Sequence, residues 1–511
     1  MSLEIGGETR GSASEVYDYA YYTTMQRIED QGLDQAELAK EVLAWITCSK
    51  TPVTRDMLQK ALGARAGEHN LDEDDYPDVG SMVSVCAGLV ELCEQQDEHS
   101  IMRLVHYTTQ EYFERTGSEW FSEAEAMMAI ACITYLNLNE IGTEAAPEPQ
   151  LFYKYEWDCD SFYSYAATYW GVHARHLSPT HPLMIEFLSR PHHVGRSGLW
   201  GRHMRHISLH PLATTALHLT AYFGLEEMTV KILGHLPYRN DIDKLHPTAP
   251  TPLMFAASES HEGVTRLLLE SGAKITTTGN PRALKIAVVM NREAIVRLLL
   301  SYCSADDLGL PTTKRGIVLH SAAHFGYLGF VKILLDHKMD ADGVYRYPTE
   351  DQIGTPLYLA AGRGHISIVK LLIEHGANKN SIFRCDLGRK ETQLDAAVRR
   401  GWVDTVKVLL DNGAHIAVKP DYIHLALTAA CKKKQYKILK MLFKASAHVD
   451  PCNNTLNLRE ILLLMVALHR WEAGAKYLFS VGANIVRDPS FDDRLAACFK
   501  FRGDYEYMRT I

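Results

Sequence analysis

The sequence predicts an all-α protein, an N-terminal helical module followed by an α-solenoid of about eight repeats. Three observations carry this reading. The stretch 355–380, TPLYLAAGRGHISIVKLLIEHGANKN, spells two short helices with a glycine turn between them and a glycine stop at the end. Equivalents of its Leu357 stand at Leu217, Leu253, Leu284, Leu319, Leu394, Leu427 and Leu463, at intervals of 31 to 38 residues. Ahead of these copies the composition differs. Residues 1–150 hold 9 Lys and Arg against 28 Asp and Glu, whereas residues 355–450 hold 16 against 8. Short helix pairs cannot bury their apolar faces alone and need copies on either side. The charge asymmetry fits two modules with different partners or mutual attraction; two solvated faces are the alternative.

A chain of 511 residues is expected to hold more than one domain. Its content, 46% hydrophobic and 23% charged, is that of an ordinary globular protein. The 10 cysteines form no CxxC pair. That argues against a zinc ribbon or a disulfide framework and for a reducing compartment. Residues 1–15 lack the apolar core of a signal peptide, and no run of apolar residues is long enough for a membrane span.

In chain order, residues 1–14 are rich in Gly, Ser and Glu and are expected to form a flexible tail. Helices are expected over Tyr17–Glu29, from an N-cap at Asp34 to Ile46, and over Thr54–Leu62, with Thr51-Pro52 as the break. Gly67–Asp78 is an acidic loop whose carboxylates lack the glycine and closing glutamate of an EF-hand, so calcium is not expected. Ser81–Leu92 reads as a helix running into a strand, Gln95–His99 as a turn and Ile101–Val105 as the returning strand. Two helices, a third and a hairpin make the plan of a winged helix, assigned to 15–120. Helices over Ala124–Leu138 and Tyr163–His176 belong to a linker or cap, 121–211.

The segments ELAKEVLAWIT (37–47), CAGLVEL (86–92) and RLVHYTTQEYFER (103–115) resemble the stretch that follows the NTPase core of fungal NACHT-type signalling proteins, the STAND class. The resemblance implies a winged helix and helical segment leading into repeats. It also implies that a histidine ending the winged helix touches the phosphates of a bound nucleotide, and His106 is the matching residue. A structural histidine at a strand–helix junction is the alternative. No GxxxxGK[ST] loop occurs, and Gly6–Ser12 has the glycine spacing without the lysine. The implied protein is a STAND-like chain without its NTPase domain and with no cofactor.

The repeats, 212–487, resemble ankyrin repeats. Thr-Pro-Leu at 251–253 and 355–357, Thr-Ala-Leu-His at 215–218 and Val-Leu-His at 318–320 carry the likeness, with small pairs such as Ala256-Ala257, Ala322-Ala323 and Ala360-Ala361. Proline suits a first helical turn, and glycine at 272, 376, 413 and 482 suits a helix stop. A polar tail, 488–511, follows. The resemblance implies a broad protein-binding face presented by the residues after each small pair. Here these are Tyr222, Phe223, His324, Phe325, Arg363, Arg399, Arg400, Lys432, Lys433 and Lys434. Arg384 and Trp402 add to the basic end; Tyr345, Arg346 and Tyr347 lie on the loop before the fifth repeat. Aromatic and arginine side chains are the usual interface anchors; plain solvation of the lysines is the alternative.

An acidic protein partner, or the acidic N-terminal module itself, is expected ahead of phosphorylated or nucleic-acid ligands, since the pI is about 6.2 and no nucleic-acid module is recognisable; an NTPase-bearing subunit is a further candidate partner. His203, His206 and His210 would share a helical face, but no acidic or cysteine ligand lies close by and Pro211 ends the helix, so no metal is expected. That segment is expected to cap the first repeat. No GxSxG or HExxH motif supports an enzyme. The expected protein is non-catalytic and cytoplasmic or nuclear: the sensing ankyrin half of a fungal STAND-like receptor or an adaptor derived from one. The alternative is a free-standing ankyrin adaptor or inhibitor whose N-terminal module serves as a cap.

Overall fold

The structure, a computed structural model, describes residues 13–64, 76–93, 100–138, 161–190, 214–234, 242–243, 250–275, 282–303, 312–343, 345–346, 353–384, 390–414, 430–431, 433–445, 462–463, 466 and 471–481. The chain divides into two compact units, Met1–Ala273 and Lys274–Ile511. Gly6–Ser12, the carboxylates at 72–75, the turn Gln95–His99, His203, His206, His210 and Gly482 lie outside the described residues.

The first unit opens with α1 (Ala13–Glu29), α2 (Leu33–Cys48), β1 (Val53–Thr54), α3 (Arg55–Gly63), α4 (Val79–Val85), β2 (Val90–Cys93), β3 (Ile101–Leu104) and α5 (Tyr107–Trp120). Asp34 is not the N-cap of α2. The N-cap is Gly32, two residues earlier, and Asp34 sits in the first turn, where a carboxylate favours the helix dipole. Thr54 caps α3, its hydroxyl oxygen accepting from the Met57 N–H at 3.2 Å. Asp78, at the end of the acidic loop, caps α4 by accepting from the Ser81 N–H at 2.9 Å. The helix and strand read as continuous over Ser81–Leu92 are separated by a turn at Ala87 and Gly88, both at positive φ. The three strands pair antiparallel in the order β1-β3-β2, Val53 opposite Met102 and Val90 opposite Leu104. This is the winged-helix plan.

Next come α6 (Ala124–Asn137), α7 (Ser161–His173) with a 3-10 turn at Ala174–His176, and α8 (Pro182–Ser189). Trp45 of α2 meets Phe162 and Tyr165 of α7 edge-on, each at 5.7 Å. Glu125, at the start of α6, accepts from the buried His173 Nδ1–H and pairs with Lys50 at 2.9 Å. The Tyr165 hydroxyl completes the chain at His173 Nε2, 2.8 Å away. Two helix pairs close the unit, α9 (Ala216–Phe223) with α10 (Glu226–Gly234) and α11 (Pro252–Glu259) with α12 (Glu262–Glu270).

The second unit continues the pairs: α13 (Arg282–Val289) with α14 (Glu293–Tyr302), α15 (Thr312–Phe325) with α16 (Leu328–Asp336), α17 (Pro356–Arg363) with α18 (Ile366–Glu374), and α19 (Gln393–Arg400) with α20 (Val403–Asp411). The later helices α21 (Tyr436–Ala445) and α22 (Glu472–Ser480) follow. Two hairpins precede the fifth and sixth repeats: β4 (Tyr345–Arg346) with β5 (Ile353–Gly354), and β6 (Phe383–Arg384) with β7 (Lys390–Glu391). The marker leucines Leu284, Leu319, Leu357 and Leu394 are all buried.

One rule repeats along both units. The seventh residue after each of the first seven marker leucines has positive φ: Gly224, Ser260, Asn291, Gly326, Gly364, Gly401 and Lys434. The residue after it often reaches back to the preceding repeat. His261 donates to the Tyr222 carbonyl at 2.8 Å, His365 to the His324 carbonyl at 3.2 Å and the Trp402 indole to the Gly362 carbonyl at 3.1 Å. The ring lies so close over the glycine that a Cβ on Gly364 would stand 2.6 Å from Trp402. Glycine is thus set there by backbone conformation and by packing together.

Candidate partner-binding surface

Most of the sequence-predicted binding residues occupy the fifth and sixth places after a marker leucine; Lys434 is the seventh, Trp402 the eighth, and Tyr345, Arg346, Tyr347 and Arg384 precede the fifth and sixth repeats. In the first repeat the fifth and sixth places are taken up internally. Phe223 is 2% exposed, packed edge-on against Trp170 at 5.0 Å, and its carbonyl accepts from Arg175 at 2.9 Å. A Cβ on Gly171 would fall 2.1 Å from the Phe223 ring, so α7 approaches α9 closely because Gly171 has no side chain. Phe223 is therefore a core residue and not a partner contact. Tyr222 is half-buried, and burial pushes its phenol up to about 12. The residues capping the first repeat thus include α7 and the turn after it.

In the second unit the sixth places face solvent, and the described fifth places are half-buried. Phe325 is 47% exposed and Trp402 43%. His324 is half-buried. Burial, then the charges of Arg363, His365 and Arg400, holds its imidazole below the ordinary histidine value. The neutral ring accepts at Nε2 from Arg363, 2.9 Å away. Arg363, Arg400, Lys433 and Lys434 are exposed, and none pairs with a carboxylate among the described residues. Cations in the last turns of α17 and α19 also complement the helix dipoles.

Arg399 has a different role from its neighbour. Its guanidinium forks onto Glu391 through two bonds of 2.9 and 3.1 Å. Glu391 is 2% exposed and also accepts from the Tyr358 hydroxyl. Beside it, Asp395 and Thr392 form a reciprocal cap, the Thr392 N–H donating to Asp395 at 2.9 Å and the Asp395 N–H to the Thr392 hydroxyl at 3.2 Å. Burial pushes the Asp395 carboxyl up to about 6 against the pull of those Thr392 bonds. Sequence reasoning missed Glu391, Tyr358 and Asp395. The one available signal was an acid directly before a threonine N-cap.

Tyr347 and Lys432 lie outside the described residues, and Tyr345, Arg346 and Arg384 are known only as backbone of the two hairpins. His106 is exposed and caps α5. Its Nδ1 accepts from the Thr108 N–H at 3.2 Å and stands 2.8 Å from the Thr108 hydroxyl.

Family models of two kinds match the chain. Models of ankyrin repeats match residues 217–311 and 306–383, and another matches 394–443. A model described as the winged helix domain of GPI inositol-deacylase matches residues 27–123. The ankyrin repeat and KH domain-containing protein mask-1 of Caenorhabditis elegans is 34% identical over 135 residues, 25% of this chain and 5% of that protein. The crystal structure of the human ASB11 ankyrin repeat domain aligns with a TM-score of 0.36 and 22% identity, over 46% of this chain and 99% of that one. Among the described residues no helix is long and apolar enough to cross a membrane. The chain carries a winged-helix domain similar to that of GPI inositol-deacylase, followed by ankyrin repeats that serve protein–protein interaction.

Proposed function

We propose that this chain is a non-catalytic binding protein whose late ankyrin repeats hold an acidic protein partner. The observation that carries the reading is the run of exposed cations, Arg363, Arg400, Lys433 and Lys434, which pair with no carboxylate among the described residues, beside exposed Phe325 and Trp402. Arginine and aromatic groups of this kind anchor interfaces. In the finer reading the chain is the sensing half of a fungal STAND-like receptor, acting in the cytoplasm or nucleus with an NTPase supplied by another subunit. The winged-helix match at 27–123 supports that reading. With Nδ1 of His106 used as a helix cap, Nε2 is the ring nitrogen that a nucleotide phosphate would meet. A second reading, an ankyrin adaptor with a capped end, is favoured by the packing of Trp170 and Gly171 on Phe223.

Affinity purification from native cells tests the proposal, comparing wild type with a variant carrying Arg363→Glu, Arg400→Glu and Lys433→Glu. A partner lost only from the variant is the expected result. Partners retained equally by both forms would sink the basic-surface assignment. An NTPase among the captured subunits separates the receptor from the adaptor.

A further inference from the structure

We propose that Arg363, Arg400 and Lys433 form a ladder, one cation per repeat, that receives an extended acidic segment of a partner protein with a carboxylate at every third residue. Resting on the protein-binding reading above, the ladder names the partner's chemistry. Each cation is the sixth residue after its marker leucine, so the three occupy one register at successive helix ends. Adjacent repeats are joined at this place. Arg363 reaches back to His324, and the Lys433 ammonium donates to the Arg399 carbonyl at 3.1 Å.

Arg400 breaks the pattern. The side chain it would meet in the preceding repeat is missing, because that position is Gly362, whose carbonyl is already used by Trp402. Packing does not demand this glycine. An added Cβ would stand at an ordinary 3.8 Å from the Ala396 Cβ, and Ala396 lies one turn before Arg400 on the same face of α19. Gly362 therefore offers Arg400 no side-chain partner, and the exposed guanidiniums of Arg363 and Arg400 suit planar carboxylates.

Spacing gives the partner's register. Packed helices stand about 8–10 Å apart, and an extended chain rises about 3.3 Å per residue. One repeat therefore spans about three residues of ligand. Phe325 holds the same register one repeat earlier and is exposed, so an apolar residue suits the next position along. The segment reads apolar-x-x-acid-x-x-acid-x-x-acid, in one chain direction or the other.

The test uses the full chain and three fluorescent peptides of identical composition, each with one Leu and three Glu. Their carboxylates fall at every second, third or fourth residue, and each peptide is made in both directions. Fluorescence anisotropy at physiological salt is expected to show one third-residue peptide binding about tenfold more tightly than the rest. Arg400→Glu should remove that advantage, and so should Gly362→Leu, which at constant charge sets a side chain at the place Arg400 would reach. Lys440→Glu, an equal charge change at an exposed lysine outside the ladder, should leave it. Equal affinities for all spacings, lost together with Arg400→Glu, would overturn the register and keep the basic surface. Binding untouched by both Arg363→Glu and Arg400→Glu would overturn both. Failure of every peptide to bind also overturns the ladder and leaves the broader reading to the partner comparison.

Discussion

Adjacent arginines at the end of α19 show how far identical residue types diverge once folded. The Arg399 fork neutralises the buried Glu391, whereas Arg400 stands in solvent with no carboxylate partner among the described residues. Removing one partner of a buried charge leaves the other uncompensated, and hydrogen bonds to charged groups are worth about 1.5–3 kcal/mol. Arg399 is itself 36% exposed, and that moderates the loss. Arg399→Ala is expected to destabilise the second unit by about 2 kcal/mol, and Arg400→Ala to change it by less than about 0.5 kcal/mol. Urea unfolding of the two variants checks this. Similar losses for both would mean that Glu391 is adequately served by Tyr358 alone. Nothing in the sequence distinguishes the two arginines, because the difference comes from a strand residue that precedes them and is buried by the fold.

At the level of the repeat, the helix boundaries were legible where glycine marked them, as at Gly364 and Gly376. They were less so where Ser260, Asn291 or Lys434 takes the same left-handed conformation. Asparagine adopts it readily, while serine and lysine bear a steric cost that the surrounding helices offset. Two glycines in one short segment separate conformation from space. Gly364 has φ +79 and the Trp402 ring over it, whereas Gly362 is helical with room for a methyl group. Gly364→Ala should therefore lower stability by about 2 kcal/mol, from left-handed strain and displacement of the indole. Gly362→Ala should raise it by about 0.5–1 kcal/mol through helix propensity. Thermal melts of the two variants give the comparison. A loss at Gly362→Ala would show that packing demands the glycine after all.

Across the whole chain, the period of the marker leucines was enough to read the array, and the order of helices and hairpin was enough to read the winged helix. The two-residue strand β1 was not legible, because it exists only through its pairing with β3. Buried charge was equally hidden, and it gives the two units opposite responses to acid. In the first unit, burial alone would raise the Glu125 carboxyl, but hydrogen bonds from His173 and Lys50 outweigh it and hold the group at about 2. A depressed acid contributes stability above its unfolded value, about 4.3, that is lost as pH falls toward the folded value. In the second unit Asp395 is pushed up to about 6, chiefly by burial. Its contribution is full below the unfolded value, about 3.9, and is lost as pH rises through about 6. Lowering the pH from about 7 to about 5 should therefore strengthen α19 and leave the α6–α7 contact unchanged from this source, while further acid below about 4 should weaken α6–α7. Hydrogen exchange, corrected for intrinsic rates and resolved by segment, measures both effects. Asp395→Asn should abolish the first and Glu125→Gln the second. Protection of α19 that falls between about pH 7 and 5, or rises equally in Asp395→Asn, would remove Asp395 as the source.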